Sequence, residues 1–476
     1  MLSKSEFRQQ AHVIVDWIAD YLDNIEKFPV KSQISPGAIK AQIYESAPNA
    51  GESMDIIFRD FTTIIPPGIT HWQHPGFMAL FPSNSSFESV LAEMLTAGLG
   101  VNAMVWETSP AATELEEKMM EWVRDAFGIP KNWKGVIHDT ASTSTLTAII
   151  TAREKFSQFS INNAGFSDYT QLTMYCSDQT HYSIEKGAKA AGIGLAHVVK
   201  IPTDCNYALD ATLLEAKIIE DLTAGKQPFM VIAALGTTSS LAFDPIDKIG
   251  AICKKFNLWL HIDAAYAGSG FILDEYKHYL SGIELADSYV FNAHKWLFTN
   301  FDCSLYFMRD AQLLINTFSS NPDYLKRTID EVTNFKDWGL PLGRRFRALK
   351  LWFLFRGYGL DGIREKLRQH IALANYFYAT ITKNPDWEIM APFVMNVICL
   401  RYHPQSINES NNLDAVNEQI VKIINTQGDF FLSGTKLRGI YVIRVVIGQT
   451  NVAETHVNAL LQVLTAATKN EKLLPY

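Results

Sequence analysis

From about residue 80 to residue 350 the chain alternates short apolar runs with segments long enough to be helices, a rhythm that narrows the choice of fold sharply. The runs cover 135–137, 172–176, 198–201, 229–233, 258–262 and 288–291, with helical stretches such as 211–222 and 246–256 between them. Strands that are apolar throughout and joined by helices form a mostly parallel sheet covered on both faces, so the fold class is α/β. Ahead of this region Ile14, Trp17, Ile18, Tyr21, Leu22 and Ile25 recur at three- and four-residue spacings, the mark of an amphipathic helix. Its apolar face suits a private core and a subunit interface equally. Beyond residue 352, helices and two strand-like runs, 397–402 and 440–447, read as a smaller α+β domain. A chain of 476 residues exceeds a single hydrophobic core. The expected division is an N-terminal helical segment over 1–79, a large domain over 80–352 and a small domain over 353–476.

Composition removes several functions. With 47% apolar and 19% charged residues the chain buries enough surface to offset its chain entropy. A net charge of −8 gives no support to nucleic-acid or anionic-membrane binding. Cys176, Cys205, Cys253, Cys303 and Cys399 are dispersed, with no Cys-x-x-Cys spacing. That pattern argues against a disulfide framework or a metal site and fits a reducing compartment. Glu6, Arg8, Gln9 and Gln10 stand where a signal peptide needs an apolar core, and no apolar run approaches the ~18 residues of a membrane helix. The expectation is a cytoplasmic protein with no metal, nucleic-acid or membrane partner.

Open parallel sheets bind ligands beyond the carboxyl ends of their strands, so the residues just past each apolar run carry the functional signal. They are Asp139-Thr140-Ala141-Ser142, Ser177-Asp178-Gln179-Thr180-His181, Gly236-Thr237-Thr238, Asp263-Ala264-Ala265-Tyr266 and Asn292-Ala293-His294-Lys295-Trp296. An anion site, an imidazole, a hydroxyl pair, a carboxylate and an amine are thus expected along one sheet edge. Pyridoxal phosphate asks for this set. Its aldehyde needs an amine, here Lys295, and its ring nitrogen a carboxylate that keeps it protonated, here Asp263. Its phosphate needs free helix N-terminal amides, which a helix beginning at Thr140-Ala141-Ser142 presents. His181 offers a planar partner for one ring face, and Ala265 is small enough for the other to lie close. Singly these residues mean little, since a lone lysine is usually solvated and a lone aspartate after a strand is usually a turn residue. Their ordered recurrence at successive strand ends carries the argument.

Three of these blocks, around His181, at 261–268 and at 292–296, resemble the signatures of group II pyridoxal-phosphate decarboxylases. Further blocks resemble the aromatic L-amino-acid decarboxylase branch: His71-Trp72-Gln73-His74-Pro75, Phe81-Pro82, 109–116, Asn300-Phe301-Asp302-Cys303-Ser304 and 341–347. The resemblance spans nearly the whole chain. It implies a fold type I pyridoxal-phosphate enzyme, an obligate homodimer with shared active sites, and an N-terminal segment wrapped over the partner subunit. It makes Lys295 the Schiff-base lysine, Asp263 the partner of the ring nitrogen, His181 the stacking ring and Ala265 the packing on the opposite face. Thr238 would lie beside cofactor and substrate carboxylate, with Thr140, Ala141, Ser142, Asn292 and His294 around the phosphate and ring. Trp72, Leu80, Phe81, Ser83, Asn102, Met104 and His181 would meet substrate, Asn102 and Met104 reaching across from the partner. Ser83 stands where the family usually has Thr, Thr140 where animal relatives have Ser, Leu80 for a Tyr, and Asn102 and Met104 for Ile and Phe.

The implied reaction is decarboxylation of an aromatic amino acid of the tryptophan, tyrosine, phenylalanine or dihydroxyphenylalanine class to its arylalkylamine. Tyr324, within Pro322-Asp323-Tyr324-Leu325-Lys326, aligns with the family's proton-donating loop tyrosine. Relatives that make aldehydes carry Phe at that position or Asn at the position of His181, and this chain keeps Tyr324 and His181. Histidine-specific relatives have Ser at the positions of Gly343 and His294, which favours an aromatic substrate here. The alternatives are an aldehyde synthase on the same scaffold, another fold type I enzyme such as an aminotransferase, and a non-enzymatic scaffold protein.

Overall fold

Seven strands build the central sheet: β1 (Lys134–His138), β2 (Leu172–Ser177), β3 (Val198–Ile201), β4 (Gln227–Ala234), β5 (Trp259–Asp263), β6 (Ser288–Asn292) and β7 (Ser304–Met308). The computed structural model describes residues 2–166, 169, 171–319, 332–405 and 410–469. The strand order is β1-β7-β6-β5-β4-β2-β3, parallel from β6 through β3, with β7 antiparallel to both neighbours. Every residue of β2, β5, β6 and β7 is buried, as a sheet covered on both faces requires. The sequence reading located six of the seven strands and passed over β7. Its five residues sit between Asp302 and Arg309, with only the short helix Ala293–Trp296 before them. A connection that short cannot make a parallel crossover, so the chain returns antiparallel.

The helix Ala141–Phe156 packs across β4, β5, β6 and β7. Its buried face is built from small side chains, among them Ala141, Ser144, Thr145, Ala148 and Ala152, which let it lie close to the sheet. Met174, Phe229, Ile232, Trp259, Val290 and Tyr306 fill the core beneath it.

The chain divides into two compact units. One holds Ser83–Gln369 with Ala391–Met395 and contains the seven-stranded sheet; the other holds Met1–Pro82, His370–Met390 and Asn396–Tyr476. The helix Ala348–Ile381 runs through one of these boundaries, and Gly359, at φ 64°, breaks its helical geometry.

In the second unit a four-stranded antiparallel sheet is ordered β10-β11-β9-β8, with β8 Trp387–Ile389, β9 Val397–Tyr402, β10 Ser433–Leu437 and β11 Ile440–Val446. The two runs read from the sequence are β9 and β11. The helix Lys4–Asp23 starts on a Ser3–Glu6 capping box and buries no residue, although Trp17 stacks on Tyr21 and meets Phe61 edge-on. Among the described residues no helix is long and apolar enough to cross a membrane.

Candidate active site

Strand register brings the sequence-predicted residues to one edge. Asp263 closes β5 opposite Ala234 of β4 and Val290 of β6, while Asn292 of β6 and His138 of β1 both face Ser304 of β7. Lys295 comes next, in the short helix Ala293–Trp296, and is half-buried. His181 lies four residues past the end of β2. The Ser183 amide donates to its Nδ1 at 3.2 Å, and the Ser183 hydroxyl lies 2.8 Å from the same nitrogen. Burial holds His181 below the usual imidazole range, the Lys295 cation adds to this and the Asp263 carboxylate opposes it. His181 thus feels the charges of both Lys295 and Asp263.

Asp263 is buried, and its Oδ1 accepts the Ala265 amide at 3.0 Å. The Asn292 amide donates to the Ala265 carbonyl at 3.0 Å, which ties the ends of β5 and β6 together. Asn292 is itself buried, and among the described residues its side-chain Oδ1 has no hydrogen-bond partner. Left unmet, such an atom costs about 1–3 kcal/mol. At the start of the helix Ala141–Phe156 the Thr140 hydroxyl caps the Thr143 amide at 3.4 Å, and the Ser144 amide bonds the Thr140 carbonyl. Ala141 and Ser142 occupy the first helical positions, whose amides no helix can satisfy internally. Thr238 is half-buried after a turn in which Gly236 adopts φ 93°; a Cβ there would lie 2.6 Å from that of Ala267. His294 is buried, accepts the Cys303 amide on Nδ1 at 2.9 Å, and packs against the Phe301 ring at 4.6 Å.

The residues expected to meet substrate divide between the units. Ser83, Asn102 and Met104 belong with the large sheet, and Asn102 is already committed: its Oδ1 accepts the Arg344 amide at 2.9 Å. Buried Arg344 also reaches the Ile137 carbonyl and pairs with buried Glu116, so this segment is tied to β1. Trp72, Leu80 and Phe81 belong to the other unit. Trp72 stacks on Phe77 at 4.4 Å, and Phe81 lies under the Arg444 guanidinium at 4.4 Å. Arg444 also donates to the Leu80 carbonyl, and the Leu80 amide donates to the Ser433 hydroxyl at 3.1 Å. Sequence reasoning gave no part to Arg444, Phe301 or Lys350, although 300–304 lay inside a recognised block. Tyr324 lies outside the described residues.

This donor set fits a flat, phosphorylated carbonyl compound with a basic ring nitrogen. Helix-terminal amides suit its anion, the Lys295 amine its carbonyl and the Asp263 carboxylate its protonated nitrogen, and the Asn292 Oδ1, an acceptor with no partner among the described residues, marks where a donor belongs. The sequence also matches the model of the pyridoxal-dependent decarboxylase conserved domain over residues 36–403. The chain belongs to that family. Tyrosine decarboxylase 3 of Petroselinum crispum is 40% identical over 477 residues, covering 97% of this chain and 92% of the relative. Phenylacetaldehyde synthase of Arabidopsis thaliana is also 40% identical, covering 97% and 96%. A crystal structure of Oryza sativa TDC with PLP and tryptamine superposes with a TM-score of 0.96 at 31% identity, covering 100% of this chain and 99% of that one. As a member of the family the protein is a fold type I α/β enzyme whose cofactor is pyridoxal 5′-phosphate.

Proposed function

We propose that the protein decarboxylates an aromatic L-amino acid of the tryptophan, tyrosine, phenylalanine or dihydroxyphenylalanine class to the arylalkylamine and carbon dioxide. The observation that carries this reading is the position of Asp263 at the end of β5, Lys295 three residues past β6 and His181 four residues past β2. The tyrosine decarboxylase named above and the tryptamine held by the rice structure support the substrate class.

When bound, the cofactor supplies a conjugated ring that accepts electrons from a bond at Cα. Lys295 would hold it covalently, Asp263 would keep its ring nitrogen protonated, and Thr140, Ala141, Ser142, Asn292 and His294 would fix its phosphate end. His181 would stack on one face as a neutral ring, with Ala265 on the other. Thr238 would orient the substrate carboxylate so that the Cα–carboxylate bond stands perpendicular to the ring. Trp72, Leu80, Phe81, Ser83, Asn102 and Met104 would enclose the aromatic side chain. As carbon dioxide leaves, Tyr324 would return a proton to Cα and so end the reaction at the amine.

The same reading makes the enzyme a cytoplasmic homodimer with shared active sites. Exposed apolar side chains on helices support that, Phe7 and Val13 on Lys4–Asp23 and Leu91, Leu95 and Leu99 on Phe87–Leu99. An aldehyde synthase stays the second reading because of the Arabidopsis relative.

The experiment is a panel of aromatic amino acids with products identified by mass spectrometry. Wild type should yield amine and carbon dioxide without peroxide. Lys295→Ala should lose both turnover and the absorbance of lysine-bound cofactor, and Tyr324→Phe should divert product from amine towards aldehyde. Aldehyde and peroxide from the wild type would overturn the decarboxylase assignment.

A further inference from the structure

Lys350 lies buried against the turn that follows the helix carrying Lys295. Lys350 sits near the start of the helix Ala348–Ile381 and is only 1% exposed, an unusual place for an ammonium group. Its Nζ donates to the Asn300 carbonyl at 3.1 Å and faces Glu93 at 2.9 Å. The same turn is held at two further points. The Asn300 amide donates to the Ser89 hydroxyl at 3.2 Å, and Arg347 Nε donates to the Asp302 carboxylate at 2.7 Å. Beyond Asp302 the Cys303 amide donates to His294 Nδ1, while the Phe301 ring leans on the same imidazole. A backbone N–H aimed at Nδ1 fixes both the tilt of the ring and its tautomer, with the proton on Nε2.

We propose that Lys350 is a positioning residue for the cofactor: by pinning the Asn300 carbonyl it sets the turn that aims His294, next to Lys295. This rests on the reading that His294 stands beside the cofactor. A charged donor suits the task because a charge-assisted hydrogen bond to a carbonyl is stronger than a neutral one. The groups facing Lys350 are Glu93 from the helix Phe87–Leu99, Asp302 and Cys303 from the turn, and Arg345 and Arg347 from the segment entering its own helix. Arg345 also pairs with Glu93, so three cations share two carboxylates. Lys350 is the cation that gives way first. Burial above all, with Arg347 and Arg345 adding, brings it down to about 8, while burial lifts the Cys303 thiol to about 12 and keeps it neutral.

The test measures how much cofactor the holoenzyme keeps after dilution and filtration, between about pH 6.5 and 9.5. Lys350→Met should raise cofactor loss about tenfold at neutral pH, in line with losing one charged hydrogen bond. Wild type should lose cofactor as the pH rises past about 8, and Lys350→Arg, which cannot lose its proton, should keep it at neutral pH and move that loss to higher pH. A merely structural lysine would not produce that displacement, and the Arg variant keeps the test decisive if the Met variant fails to fold. Wild-type retention in Lys350→Met, or an unmoved alkaline limb in Lys350→Arg, would overturn the proposal. His294→Ala separates the two claims. Unchanged retention there would show that His294 does not serve the cofactor, whereas loss there without loss in Lys350→Met would remove only the part given to Lys350.

Discussion

His138, His261 and His294 are closed off from water in the unit that holds the large sheet. His138 bonds Ser144 at 3.1 Å and the Trp338 carbonyl at 3.2 Å, and His261 bonds Ser288 at 2.8 Å. Burial is the chief reason that all three stay neutral: it brings His138 and His261 to about 4 and His294 to about 3, against an ordinary value of 6.5. The unfolded chain therefore takes up protons, as pH falls from about 6.5 towards 4, that the folded chain refuses. The stability these three imidazoles contribute is fully present above that window and declines on passing down through it, while buried Asp244, lifted to about 7 by desolvation, offsets one proton of the change. Thermal unfolding followed by circular dichroism should show the midpoint falling steeply below about pH 6, and His261→Gln should make the fall shallower by one proton. A midpoint that stays level down to about pH 4.5 would mean that these imidazoles are not held neutral.

The stretch from Gly76 to Phe81 is no regular strand, yet it is stitched to the small sheet. Met78 exchanges backbone hydrogen bonds with Phe431 and Val446, Leu80 binds Ser433, and Arg444 from β11 holds both the Leu80 carbonyl and the Phe81 ring. Leu80 takes φ 47°, a conformation that a leucine keeps only when its neighbours impose it. Arg444→Met should free the Leu80–Phe81 wall, raising KM for aromatic substrates about tenfold with a smaller change in kcat. Steady-state kinetics on two substrates checks this, and an unchanged KM would show that the wall holds without the guanidinium. Nothing in the sequence announced this contact, because the partners stand 364 positions apart and an arginine in a strand carries no sign of what it will cap. Lys350 was hidden for a related reason, since a lysine reads as solvated until packing says otherwise. By contrast, the places of Asp263, His181, Asn292 and Lys295 at or just past strand ends were legible, because each follows an apolar run long enough to read as a strand. Strand β7 was not, for its five residues, Ser304 to Met308, lack the helix-length lead that marked the others.

At the scale of the molecule, the chain divides into two compact units and carries exposed apolar side chains on several helices. One connection within the large sheet bears on when the site comes into being. Strand β1, whose end leads into the helix Ala141–Phe156, has β7 as its sole sheet neighbour among the described residues, and Ser144 meets Ser304 across 160 positions of chain. Pairings this remote form slowly because a long loop must close first. Refolding should therefore show secondary structure regained before cofactor is captured. Simultaneous recovery in stopped-flow circular dichroism and cofactor absorbance would contradict this. During synthesis, β1 and the helix behind it emerge early and wait at a raw sheet margin with nothing to zip against. A nascent chain halted before residue 304 would thus expose an unsealed edge, open to chaperones or to other unfinished copies, and would be unable to shelter its vitamin-derived guest.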